Sequence, residues 1–264
     1  MIRRRRNPQP FEGTEAELVA MTAELDEAHR ESLPQLRAVL TEWREANASR
    51  RAFLIGSGAV VGGVALVASG AGGIAQAAAS SMGSTKSAVP TAAKSQKLTG
   101  DLAIVALAAS LENLAVGTYQ AGIDAATAGK LGAVPPAVVS FVTTAQSQHK
   151  DHAAAWNSVL TGAGKQAITG VDATVKKDVD TAFASVKDVP GLATLALSLE
   201  NGAAATYLSA IDAVKSPAGI KVAATIQPVE MQHAAVLYFL LGQYPVPDSF
   251  SKKDDARTTT DKIG

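Results

Sequence analysis

The chain has 264 residues, a formal net charge of zero and an apolar fraction of 47%, enough for one large core or two small ones. Charge balance implies no polyanionic partner, so no nucleic acid is expected, and the absence of Cys removes disulfides, thiolate metal ligands and Cys nucleophiles together. Ala and Val dominate while aromatics make up only 5%, which favours close-packed helices over a sheet.

Residues 1–48 are predicted to be a cytoplasmic leader, partly helical. It opens on the positive stretch MIRRRR, as a segment retained on the inner side should. From Thr14 to Ala46, Leu18, Met21 and Leu25 fall at helical spacing and Pro34 predicts a break. The expectation is a solvated helix, with His29 an exposed polar residue and the fold beginning only after Ala77. Residues 49–77 set Arg50 and Arg51 before Phe53 and Leu54, run on without charge, and reach the small-residue site Ala75-Gln76-Ala77. This resembles a twin-arginine export signal cleaved after Ala77. It implies the twin-arginine machinery as a partner and a location beyond the cytoplasmic membrane: periplasm, cell envelope or secreted. The alternative is an uncleaved anchor, since the apolar run is long enough to span a bilayer. In either case the signal segment is the only expected membrane contact.

Residues 78–100, rich in Ser, Thr, Ala, Lys and Gly, read as a flexible linker. Four apolar helices follow within 101–242: about 101–128, 136–160, 190–214 and 217–242. The more polar stretch 172–189 reads as a helical crossover, and 243–264 as an extended tail. The first and third helices repeat one another, SLENLAVGTY at Ser110–Tyr119 and SLENGAAATY at Ser198–Tyr207. The second and fourth match at SQHKDH and MQHAAV. A helix pair copied as a unit predicts an all-α fold, an antiparallel four-helix bundle with one long crossover between its halves.

Beyond Ala77 the chain holds only three Glu, Glu112, Glu200 and Glu230, and three His, His149, His152 and His233. All six fall inside these helices among apolar neighbours, where an unpaired charge is costly. Glu230 and His233 lie one turn apart, able to share one ion. At the matching place stand Gln146, His149 and His152 on one stripe.

The segment from about Leu98 to Phe250 resembles the ferritin-like superfamily, and more narrowly the exported ferritin-like domain family of bacteria, with a PVPDSF-like extension at Pro245–Phe250. The resemblance implies a non-haem site for two iron or manganese ions, or one if the site is degenerate. Carried over by position, Glu112 and Glu200 are the single carboxylates, Glu230 and His233 the intact Glu-x-x-His motif, and His149 the His of the other. Gln146 stands where that motif wants Glu, and His152 is the candidate replacement. Tyr119 and Tyr207 are expected as packing groups or hydrogen-bond donors near the site, Trp156 as core. The implied activity is that of a di-metal oxidase or ferroxidase. The competing reading is a non-catalytic envelope stress or binding protein that keeps the bundle.

Overall fold

The computed structural model describes residues 13–57 and 98–257. The positive stretch within residues 1–12, the expected signal segment beyond Ser57 with its expected cleavage site at Ala77, the expected linker up to residue 97 and the last seven residues lie outside the described residues. Among the described residues the chain is all-α, with six helices and no strand: α1 (Glu15–Ser57), α2 (Asp101–Thr127), α3 (Pro136–Gly162), α4 (Ala173–Phe183), α5 (Val189–Ala213) and α6 (Pro217–Leu240).

The ends of the helices follow local chemistry. Pro occupies the first turn of α3, α5 and α6, where its missing N–H costs nothing and its φ suits the helix. Asp172 accepts from the N–H groups of Thr174 and Val175 at the start of α4, and Asp188 accepts from Gly191 N–H in α5. Behind α2 and α3 the chain turns through Gly129 and Gly164 at φ 71° and 70°, a left-handed conformation that a side chain would strain.

The dominant packing is α2 on α3 and α5 on α6, each pair joined by a short loop. Asn113 on α2 donates to the carbonyls of Ile168 and Gly170, and Asn157 on α3 both donates to and accepts from Ile168. These bonds pin the connection leading to α4 against the first pair. On α5, Asn201 donates to the Tyr238 hydroxyl on α6.

The leader helix departs from expectation. Far from being solvated, α1 lies against α3 and α6 and buries Leu18, Thr22, Leu25, His29, Leu36, Leu40 and Trp43. It also continues without a break through Pro34, which sits on the exposed side, where the carbonyl that loses its backbone partner is open to solvent. The buried positions recur at alternating steps of mostly three and four residues, with half-buried Leu33 completing the stripe; this is the seam of a helix that packs lengthwise on others. His29 is only 5% exposed, with Nε2 3.2 Å from Asp151 on α3. Trp43 meets Trp156 edge to face at 6.4 Å and presses so closely on α6 that a Cβ at Gly219 would stand 2.9 Å from its ring.

Two apolar clusters result. One surrounds Phe141, Leu197 and Leu237 and takes in Leu18 and Leu25. The other surrounds Trp156, Leu160 and Ile226 and takes in Leu36, Leu40 and Trp43. Along α3 the first reaches Ala145 and the second begins at Ala155; the histidines fall between them.

Candidate metal centre

Between the two clusters, each long core helix contributes charge at the same level. Glu112 comes from α2, His149 and His152 from α3, Glu200 from α5, and Glu230 and His233 from α6, all at most 3% exposed. Their ligand atoms form two overlapping groups within 4.8 Å: Glu112, His149, His152 and Glu230, and His149, Glu200, Glu230 and His233. Glu230 and His149 belong to both.

This sharing corrects the expected register of α3. His152 Nδ1 stands 3.6 Å from Glu112 Oε2, as His233 Nδ1 stands 3.2 Å from Glu200 Oε2. His152 is therefore the counterpart of His233, and His149, one turn earlier, is the counterpart of Glu230. Gln146, the expected site of the lost ligand, is not in the cluster. Its amide donates to Val116 O and Gln120 Oε1 on α2, and its Oε1 accepts from Lys150. One turn along α3 had carried it past the level of the carboxylates.

His149 spans the centre, with Nδ1 2.7 Å from Glu112 Oε2 and Nε2 3.1 Å from Glu200 Oε1. The tyrosines cross over: Tyr119 on α2 donates to Glu200 on α5, and Tyr207 on α5 donates to Glu112 on α2. Trp156 Nε1 donates to the Tyr207 oxygen at 2.7 Å, so this aromatic, expected as core, is both core and polar anchor. His233 Nε2 donates to Gln148 Oε1 at 2.9 Å, which turns Nδ1 toward Glu200 and Glu230. Gln148 in turn donates to Leu25 O of α1, so α1 helps to orient the centre. Composition could not have flagged His29, but its place in the buried stripe of α1 was a readable signal; its ring lies 5.5 Å from that of His152.

Without an ion the cluster balances itself. Burial opposes ionisation of Glu112, yet the neighbouring His152 and His149 outweigh it and bring the carboxyl down to about 2. Burial likewise opposes protonation of His152, but Glu112 and Glu230 lift it to about 9. Glu200 is held well below the usual carboxylate range against the penalty of burial by His149 and His233, and His149 is raised by Glu200, Glu230 and Glu112 in spite of burial. Burial first, then Glu200 and Glu112 respectively, push the Tyr119 and Tyr207 hydroxyls up, so both remain donors.

One carboxylate resists this satisfaction. Glu230 is 0% exposed and neither of its oxygens accepts a hydrogen bond, while His152 Nδ1 is also unpartnered. The two groups approach to 3.0 Å without the alignment a hydrogen bond needs. A buried carboxylate without hydrogen bonds is costly; three carboxylates and three imidazoles suit a divalent first-row ion, and the unsatisfied atoms belong to residues of the two candidate ligand groups.

Among known proteins, the model of a ferritin-like domain matches residues 100–243. No curated protein and no solved structure matches the chain. That match covers more than half of the sequence and contains every carboxylate and imidazole of the cluster, and so the chain belongs to the ferritin-like domain family.

Proposed function

We propose that this is a metal-binding redox protein, with α2, α3, α5 and α6 as an antiparallel four-helix bundle and the stretch through α4 as its crossover. Glu230, wholly buried with both oxygens unsatisfied at the point shared by two ligand groups, carries the reading. Glu112, His152 and Glu230 would hold one iron or manganese ion, and Glu200, His233 and Glu230 a second. Such ions supply one-electron redox chemistry and oxygen activation. Within the chain, Tyr119 and Tyr207 hold Glu200 and Glu112 in place, Gln148 fixes His233, and the two apolar clusters close the centre at its ends along the helices. His149 stands where a second shared carboxylate would be; a neutral imidazole offers one lone pair and does not bridge as a carboxylate does.

Aerobic addition of ferrous ion to the purified chain tests the proposal. Oxygen uptake with an oxo-bridged ferric absorption band supports an oxidase or ferroxidase. Tight metal binding without oxygen uptake supports a non-catalytic envelope binding or stress protein, a reading favoured by His149, whose two nitrogens already engage two carboxylates.

The proposed route is export through the twin-arginine machinery, which would carry the folded, metal-loaded bundle. A single membrane crossing by the signal segment would put α1 and the bundle on opposite sides, so on this route the packing of α1 on α3 and α6 would have to be released during export. Replacing Arg50 and Arg51 together with Lys should trap the precursor inside; unchanged export would sink this part of the reading.

A further inference from the structure

The α1 helix closes the α3–α6 side of the centre, but the opposite side is open. α2 and α5 touch far less than the helices within each pair, and between them lies a cavity of about 680 Å³ that reaches Tyr119, His149 and Glu200. A second, of about 260 Å³, reaches Glu112, His149 and Tyr207. Leu111, Ala115, Ala203 and Thr206 line both, so the two form one passage along the seam, one arm at each ligand group.

Repeat and cavity meet at Ala115 and Ala203, each three residues after its Glu. Both helices therefore place a small side chain one turn beyond the carboxylate, where it lines both arms of the passage beside the centre. Its long arm is walled by Leu114, Val138, Phe141, Val142, Leu192 and Leu197. Three of the hydroxyls along it are already used: Thr118 donates to Leu114 O, Thr206 donates to Gly202 O and accepts from Arg257 N–H, and Tyr119 donates to Glu200; Ser198 and Ser209 line its outer parts. Along these apolar walls a polar group would lose its water and find no donor in return. A guest as small as dioxygen would leave most of the volume empty, whereas the volume lies in the range of pockets that enclose a whole organic ligand.

We propose that the α2–α5 seam binds one long unbranched alkyl chain, as a fatty acid or an alkane, lying past the Glu112–His149–Glu200 edge of the centre. That this chain is the substrate rests on the metal-centre reading; its binding does not. Arg257 lines the mouth of both arms beside Asp254 and Asp255, so the two sources of the chain are separated by comparing palmitate with hexadecane.

The test is equilibrium binding of palmitate and of hexadecane to the full chain, metal-free and manganese-loaded, with manganese binding measured separately. Saturable binding of either probe at one per chain is expected, weakened at least tenfold by Ala115→Phe or Ala203→Phe, with helix content unchanged. A folded octanoate comparison should show weaker binding than palmitate on the native chain, which needs no variant to fold. Absence of saturable binding of both probes, several probes per chain, or equal affinity for octanoate and palmitate would overturn the inference. Undiminished binding in folded variants at both alanines would do the same. Probe binding to a chain that takes up no manganese sinks the metal-centre reading alone, and manganese uptake without probe binding sinks this one alone.

Discussion

Glu230 on α6 and His149 on α3 face each other across the centre, Oε2 to Nδ1 3.9 Å apart, and they are the two residues common to both ligand groups. The duplicated helix pair therefore retains a carboxylate at one of its two central positions and an imidazole at the other. The asymmetry lies at His149, not at Gln146.

His149→Glu should restore the second shared carboxylate. Manganese calorimetry is expected to show tightening of the weaker ion by about tenfold or more, with the metal-free protein destabilised because a fourth carboxylate replaces a counter-charge. Gln146→Glu should change neither affinity nor stoichiometry, since that side chain faces Gln120 and Lys150. The opposite ranking would return the register to the one read from sequence.

Stability and metal affinity should respond oppositely to pH. His152 is lifted from 6.5 to about 9, so its contribution is complete below pH 6.5 and is lost as pH rises through 9. Glu112 is lowered from 4.5 to about 2, so its contribution is complete above pH 4.5 and is lost as pH falls through 2. Metal-free protein should thus melt highest between pH 4.5 and 6.5, while manganese affinity should climb above that window as the imidazoles give up protons. Proton release on binding, read in buffers of different ionisation enthalpy, checks the coupling.

The crossed tyrosines are expected to differ in cost. Tyr119→Phe removes one bond to a buried carboxylate, about 2 kcal/mol. Tyr207→Phe removes the equivalent bond and also leaves Trp156 Nε1 without its acceptor, adding about 1 kcal/mol. Urea midpoints of the two metal-free variants supply the comparison; equal losses would mean that the indole bond contributes nothing.

Docking of α1 can be locked. A Cβ at Gly162 would lie 2.8 Å from Arg44 Cγ, and the chain has no native Cys to compete. Arg44→Cys with Gly162→Cys should form a disulfide on mild oxidation, visible as a mobility change that reductant reverses. Failure to cross-link in a folded double variant would mean that α1 does not rest on α3.

Legible in the sequence were the all-α class, the spans of α2, α3, α5 and α6 to within two residues, the copied helix pair, and the confinement of three Glu and three His to those helices, whereas α4 ends six residues before the expected 189. These follow from local signals: Pro and Gly at helix ends, helical periodicity, and the cost that confines Glu and His to a few interior places. Tertiary structure alone decided the register of α3 and the position of α1. Gln146, His149 and His152 share one face of a helix, so spacing puts all three on the inner stripe but says nothing of depth; depth is set by how far α3 slides along α2, its main packing partner, before Ala145 and Ala155 settle into their separate clusters. The buried stripe of α1 was written in Leu18, Leu25, Leu36, Leu40 and Trp43, yet an apolar stripe does not name its partner. That partner is a groove which exists only once α3 and α6 have come together.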